Sequence, residues 1–289
     1  MKIAIFGSNY QKESQIKKIF EVLSKHNEDI LIQNEFYKYL QTEFQIDCPH
    51  IKTFRGEDFD ADCAISIGGD GTFLKTIATI GKKDIPTLGI NSGHLGFLAD
   101  TSEESLEETL QEILSGRYRI EKRSQLELVG MQDTFQGKNL ALNEIAVLKQ
   151  DTASMITIHA YINNEYLTSY QADGLIIATP TGSTAYSLSI GGPIMNPNAA
   201  NFIIAAIAPH SLNTRPLVVE DSCIITLEVD SRNRNFLISL DGRSEVITTE
   251  LNMTIKKSVS TVKLIKRIGH TFYGTLRDKL MWGIDPRRN

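Results

Sequence analysis

The stretch Ile65-Ser66-Ile67-Gly68-Gly69-Asp70-Gly71-Thr72 changes character half-way along. Residues 63–67 are apolar or small and read as a buried strand, and Gly68 and Gly69 break it. Apolar residues then return at helical spacing as Phe73, Leu74, Ile77 and Ala78. A strand, a tight glycine turn and a helix in succession let a backbone approach a phosphate and aim free helix N–H groups at it. Asp70 is the unexpected member. A cradle that only binds phosphate gains nothing from a carboxylate. A site that takes a proton from an attacking hydroxyl, or that holds a divalent cation, does gain from one. The plainer reading is a structural turn in a doubly wound sheet, and these residues alone leave all of these open.

The flanks repeat the same grammar. Residues 2–6 read as a strand ending at Gly7, and Ile16, Ile19, Phe20 and Leu23 give the i, i+3, i+4, i+7 face of a helix. Residues 30–32 read as a second strand. Residues 34–62 are charged and weakly patterned, which predicts a short helix near 35–40 and a mobile loop. Residues 86–90 form another buried strand and run into Asn91-Ser92-Gly93-His94-Leu95-Gly96-Phe97-Leu98. Thr101 with Glu104 resembles a capping box for a helix bearing Leu106, Leu110, Ile113 and Leu114, with Gly116 as its C-cap. Strands alternating with helices predict a parallel sheet covered by helices.

After about Tyr118 strands follow strands: 125–131, 140–148, 156–162, 166–170, 175–179, 203–207, 224–229, 236–240, 246–249 and 262–266. Asn163-Asn164 marks a hairpin between the third and fourth of these. This half reads as mainly β, a sandwich. Residues 271–282 turn helical, with Phe272, Leu276 and Leu280 on one face that a lone helix cannot bury, so the helix is expected to pack back on the first domain. Residues 286–289 read as a frayed tail. The expected division is an α/β domain of residues 1–120 completed by 271–289, and a mainly β domain of residues 121–270.

A chain of 289 residues with 41% apolar and 22% charged residues suits a globular protein of about two domains. A net charge of −5 argues against a general nucleic-acid binder. No apolar run approaches the roughly 20 residues that span a bilayer, and the apolar start is too short for a signal peptide. Cys48, Cys63 and Cys223 are widely spaced, which fits a reducing cytoplasm and no zinc site. His94, beside glycines, reads as a structural histidine or as a ligand. The other histidines lack metal spacing.

A second set of polar residues interrupts the β half. Asn143-Glu144 sits inside the apolar run 140–148, where adjacent side chains of a strand face opposite ways, so one of them meets a core, a site or solvent. Asp173-Gly174 precedes the strand 175–179. The run Thr179-Pro180-Thr181-Gly182-Ser183-Thr184-Ala185-Tyr186-Ser187-Leu188-Ser189 follows, too rich in hydroxyls for a core. Its turn, hydroxyls and Tyr186 suit a phosphate, a ribose and a base, and the plainer reading is a polar connection. Asp241-Gly242-Arg243 reads as a β-turn.

Taken in order, Gly68-Gly69-Asp70-Gly71-Thr72, Asn143-Glu144, Asp173-Gly174 with residues 179–193, and Asp241-Gly242 resemble the signature of bacterial NAD kinases, the ATP-NAD kinase family. Residues 91–97 and Pro209-His210-Ser211-Leu212 with Arg215-Pro216 are similar to that family too, so the likeness covers nearly the whole chain. The glycine-rich turn alone is shared with lipid kinases and phosphofructokinases; Asn143-Glu144 and the 181–187 run select NAD kinase.

The resemblance implies an N-terminal Rossmann-like α/β domain and a C-terminal β-sandwich domain that binds the dinucleotide. It implies phosphorylation of the 2′-hydroxyl of the adenosine ribose of NAD by ATP, with a divalent metal, Mg²⁺, to give NADP. By that pattern Asp70 is the proton acceptor and, with Gly71 and Lys75, touches NAD. Asn143, Glu144, Asp173, Thr184, Ala185, Tyr186, Ser187, Leu188, Ser189 and Ala208 match dinucleotide contacts. It also implies a cytoplasmic homodimer or homotetramer acting on small molecules, with no nucleic acid or membrane as partner. Arg243 stands where many members have Gln or His, and becomes a possible phosphate contact. Gln171 stands where a basic residue is common. Two other readings compete: a lipid kinase, which needs a membrane-binding surface, and a silent dinucleotide sensor, which has no need of Asp70.

Overall fold

The computed structural model describes residues 1–9, 11–26, 29–46, 51–93, 96–131, 134–150, 154–232, 234–248 and 252–282. The chain divides into two units, Met1–Lys122 with Val262–Asn289, and Arg123–Thr261. The first unit opens with β1 (Lys2–Gly7), α1 (Glu13–Lys25), β2 (Asp29–Gln33), α2 (Asn34–Phe44) and β3 (Lys52–Phe54). It continues with β4 (Cys63–Ile67), α3 (Asp70–Ile80), β5 (Thr87–Ile90) and α4 (Leu106–Leu114). Its strands lie in the order β5-β4-β1-β2-β3, all parallel. Residues 262–266 add a parallel neighbour to β5, with Leu264 opposite Thr87.

The apolar runs that define β1 and β4 bury Ile3, Ile5, Ile65 and Ile67 at the centre of this sheet. Ile16, Ile19 and Leu23 of α1 and Leu106, Leu110 and Ile113 of α4 cover it. Each such side chain removed from water contributes about 1.5–3 kcal/mol. The order reverses between β1 and β4, so the carboxyl ends of these strands leave a crevice, the usual place for a ligand in an open α/β sheet.

The second unit contains most of β6 (Arg119–Val129), then β7 (Leu140–Ala141), β8 (Glu144–Lys149), β9 (Ile156–Ile162), β10 (Glu165–Ala172) and β11 (Gly174–Ala178). A 3₁₀ turn (Thr181–Thr184) and the one-turn helix α5 (Tyr186–Ser189) follow. Next come β12 (Asn201–Ile207), β13 (Leu217–Glu220), β14 (Ile225–Asp230), β15 (Asn235–Leu240), β16 (Arg243–Thr248) and β17 (Met253–Lys266), whose last residues belong to the first unit. The helix α6 (Phe272–Leu280) then completes the first unit.

One antiparallel sheet of the second unit runs β13-β12-β11-β8-β15-β16. In the other, β10, β9, β14 and β17 are neighbours, again antiparallel. Val147, Ile177, Phe202 and Ile238 from the first sheet share one buried cluster with Ile158, Leu227 and Ile255 from the second, as in a sandwich. Asn163 and Asn164 take φ of 50° and 66°, the paired left-handed conformation of a type I′ hairpin turn.

Four expectations need correction. Residues 34–62 are not mainly a loop: α2 extends to Phe44, and β3 pairs with β2. Thr101 caps no helix. Its backbone bonds to Gly89 and Asn91, prolonging β5, and Ser105 precedes α4 instead. Residues 262–270 belong with the first unit, because Leu264 pairs with Thr87 while Lys266 and Arg267 bind Asp100, Glu108 and Glu112. The strand expected over 140–148 is broken at 142–143, for a reason that lies in the site. The expected tail, 286–289, and His94 lie outside the described residues.

Candidate active site

In the first unit, Gly68 ends β4 with φ of 150°, and a Cβ there would lie 2.4 Å from Thr72 Oγ1, so glycine alone fits the turn. Gly69 precedes α3, and its carbonyl accepts the N–H groups of Thr72 and Phe73. Asp70 is therefore the first helical residue, half-exposed beside free helix N–H groups, where a negative charge is favoured. Its Oδ1 accepts from the backbone N–H groups of Leu98 and Ala99, both at 3.0 Å, and its Oδ2 accepts from that of Phe97 at 2.9 Å. The Lys279 ammonium of α6 lies 3.4 Å from Oδ2 and 4.7 Å over the Phe97 ring.

Gly96 makes this nest possible, since a Cβ there would sit 2.0 Å from Asp70 Oδ1. The loop is fixed in turn by Gly96 N–H on the Ala99 carbonyl and by a buried ion pair between Asp100 and Lys266. A cavity of about 440 Å³ opens at the carboxyl ends of β1 and β2 and along α3, lined among others by Gly7, Ser8, Asn9, Thr72, Lys75 and Thr79. Lys75 is exposed on this wall and Gly71 is exposed at the helix start.

In the second unit, Asp241 explains the broken strand. Its carboxylate accepts the N–H groups of Leu142 (2.6 Å), Asn143 (2.8 Å) and Glu144 (3.1 Å), groups that a continuous strand would have given to a neighbour. Asp241 and Gly242 have φ of 50° and 81°, the turn joining β15 to β16. The 3₁₀ turn closes on the same place: Thr179 Oγ1 donates to the Leu142 carbonyl at 2.6 Å, and a Cβ on Gly182 would lie 2.1 Å from the Asn143 carbonyl oxygen.

This packing leaves three buried polar atoms without a protein partner: Asn143 Oδ1, Glu144 Oε2 and Ser187 Oγ. Buried polar groups are nearly always satisfied, so orphaned ones mark a place where a ligand or water completes the set. Burial pushes the Glu144 carboxyl up to about 8, helped by the nearby Asp241 and opposed by the N–H of Tyr186. Glu144 therefore carries a proton at neutral pH and can donate as well as accept. Burial also raises Asp241, against its backbone donors and Arg243.

Asn143, Glu144 and the 184–189 segment thus share the end of β8 and β11 where Ala178 faces Glu144. Within that segment Thr184 Oγ1 returns to the Thr181 carbonyl, Tyr186 is exposed and Ser187 is buried. Asp173 and Ala208 lie at the other end, where Gly174 faces Leu148 and Ile207, roughly 17 Å away by the rise of the strand between. Lys149 Nζ holds Asp173 Oδ1 at 2.7 Å, a cation that the sequence around Gln171 did not reveal.

Arg243 is held by the strand entrance. Its Nη1 and Nη2 donate to the carbonyls of Lys138 (2.8 Å) and Leu140 (2.6 Å), so the guanidinium is a clamp on the strand entrance. Bonds to two carbonyls hold the fork in place.

Residues 5–118 match the family model of the ATP-NAD kinase N-terminal domain, and residues 142–267 match that of the ATP-NAD kinase C-terminal domain. The chain belongs to the ATP-NAD kinase family. Among its relatives, an NAD kinase of Bacteroides fragilis is 50% identical over 99% of this chain and 100% of its own length. An NAD kinase of Cytophaga hutchinsonii is 42% identical over the same shares.

Among solved structures, yeast NADH kinase complexed with NADH aligns with a TM-score of 0.87 at 25% identity, covering 100% of this chain and 90% of that one. An NAD kinase from Archaeoglobus fulgidus in complex with ATP aligns at 0.77 and 26% identity, covering 97% and 99%. In this ATP-NAD kinase fold the glycine-rich turn, the Asn-Glu pair and the hydroxyl run were legible in the sequence. Lys279, Ser8 and Asn9 were not, since each is marked only by what the fold brings beside it.

Proposed function

We infer that this chain transfers the γ-phosphoryl group of ATP to the 2′-hydroxyl of the adenosine ribose of NAD and so makes NADP. The observation that carries the reading is the match of both halves to ATP-NAD kinase models, with Asp70 at the start of α3, the helix whose later residues line a cavity of about 440 Å³. Asp70 is the acceptor of the hydroxyl proton, as an aspartate is in kinases whose catalysis otherwise rests on positioning and charge. Gly71 and Lys75 bind beside it. The hydroxyls of Ser8, Thr72 and Thr79 with the Lys75 ammonium suit the cavity to a triphosphate.

Asn143, Glu144 and residues Thr184 through Ser189 bind NAD. Support comes from the orphaned Oδ1, Oε2 and Oγ atoms, which a base edge and a ribose hydroxyl would complete. Asp173 and Ala208, a strand's length away, contact a dinucleotide held by a neighbouring copy in a homodimer or homotetramer. Among the described residues no group of three or more His, Cys, Asp or Glu could hold a metal. The described residues therefore offer no cage of three such ligands. Magnesium instead enters as part of the substrate, on the triphosphate, as it usually does with few protein ligands. The enzyme is cytoplasmic.

The test is to incubate the purified protein with ATP, magnesium and either NAD or NADH, and to measure NADP or NADPH with a dehydrogenase specific for the phosphorylated form. NADP formation is expected. Folded protein that makes none with any triphosphate or polyphosphate, yet phosphorylates a lipid, would refute the reading.

A further inference from the structure

An ionised carboxylate offers about four lone-pair positions. On Asp70 all are taken, by the N–H groups of Phe97, Leu98 and Ala99 and by Lys279. A carboxylate so filled cannot accept a hydroxyl proton until one donor leaves. The three backbone donors cannot leave readily. Their loop is bound to β5 through Asn91, Thr101 and Gly89, and anchored by the buried Asp100–Lys266 pair.

Lys279 is different. Its contact, 3.4 Å, is the longest of the four, and its side chain is 29% exposed at the end of a flexible stem. In the same position the ammonium also lies 4.7 Å over the ring of Phe97, itself against Phe272 of α6, a cation–π contact that does not depend on Asp70. An ammonium has three rotatable donors and keeps its charge wherever it turns.

We propose that Lys279 is the exchangeable donor of the phosphoryl transfer: the acceptor hydroxyl displaces its ammonium from Asp70 Oδ2, and the ammonium turns to an oxygen of the transferring phosphoryl group. This rests on the reading that Asp70 serves NAD phosphorylation. The hydroxyl oxygen then bonds to the γ-phosphorus while its proton passes to Asp70. The bond from the γ-phosphorus to the bridging oxygen breaks, and its electron pair leaves with ADP. Lys279 stays protonated throughout. In the resting protein the same ammonium keeps the carboxylate charge-balanced and in place.

The experiment compares wild type with Lys279→Met, Lys279→Gln and Lys279→Arg in the full chain, by steady-state kinetics and thermal melting. Loss of the cation should lower kcat by about 10–100-fold, raise KM for ATP and leave KM for NAD within about threefold. Arginine should restore most of kcat, because it returns a charge. Methionine or glutamine variants with wild-type kcat would overturn the inference. So would an arginine variant as slow as the methionine one with all melting points lowered alike, the mark of a purely structural contact. If the methionine variant does not fold, the glutamine and arginine pair decides by the same criteria. Wild-type protein that makes no NADP overturns the functional reading, and this inference with it. An active wild type with unaffected variants overturns this inference alone.

Discussion

Glu144 should make the second unit less stable as the pH rises, and Glu144→Gln should remove that effect. Folding lifts the carboxyl from its ordinary 4.5 to about 8, through burial and the neighbouring Asp241. Between those values the folded chain holds a proton that the unfolded chain has released. Stability therefore falls with rising pH across that window, by about 1.4 kcal/mol per unit for a single group, and levels off near pH 8 at roughly 5 kcal/mol. Glutamine copies the neutral acid in shape and does not titrate. Groups other than the coupled neighbour Asp241 titrate equally in both proteins and cancel in the difference.

The advantage of glutamine should thus grow by about 3 kcal/mol between pH 5.5 and 8. A kcal/mol moves the midpoint of a domain of this size by about 2–4 °C. Relaxation around the ion halves the gain, so melting curves should separate by at least about 3 °C more at pH 8 than at pH 5.5. A difference between the two melting points that stays constant across this range would refute the account of Glu144 as a buried neutral acid.

Three further outcomes test other parts of the site. Asp70→Asn keeps the shape but loses the basic oxygen, so kcat should fall by roughly 10²–10⁴-fold while NAD affinity by calorimetry is held; near-normal turnover would remove Asp70 from the chemistry. Arg243→Met should lower the melting point by several degrees, since it orphans the carbonyls of Lys138 and Leu140, and leave KM for ATP unchanged; the reverse pattern would restore a phosphate role. Gly182→Ala puts a methyl 2.1 Å from the Asn143 carbonyl oxygen, and the strain of about 1–3 kcal/mol should weaken both stability and NAD binding; an unaltered melting curve and affinity would count against the close approach.

Local signals in the sequence were enough for the elements around the glycine turn. The apolar run of β4, the two glycines and the face of α3 are contiguous, so neighbouring residues carry the whole signal. The helix read over residues 271–282 likewise starts where expected, with the Thr271 hydroxyl accepting the Gly274 N–H at 3.1 Å. The break at Leu142-Asn143 was invisible for the opposite reason. Apolar periodicity reports which side chains want burial and not where backbone donors go. The acceptor that claims the donors of residues 142–144 is Asp241, on a hairpin almost a hundred residues later. The capping-box pattern at Thr101 failed in the same way, because β5 claimed that backbone first. Lys279 looked like one more basic residue in the last turn of a helix until folding set it against Asp70.

Asp70 and Asp241 show how one local device serves two ends. Each carboxylate gathers three consecutive backbone N–H groups, from residues 97–99 and 142–144, and so takes up donors where regular strand pairing is interrupted or absent. The difference lies in what fills the remaining position. Asp241 has the acid Glu144 beside it, and burial raises both of their proton affinities. An ion there is disfavoured, so the pair resists a second charge and keeps Glu144 neutral for hydrogen bonding. Asp70 has a half-exposed ammonium and access to solvent instead. Its charge is balanced by that ammonium, the group proposed above to turn away when the acceptor hydroxyl arrives. The same three-donor nest is thus a brace where its surroundings are buried and acidic, and it is suited to the proton acceptor proposed above where its fourth partner is a half-exposed cation.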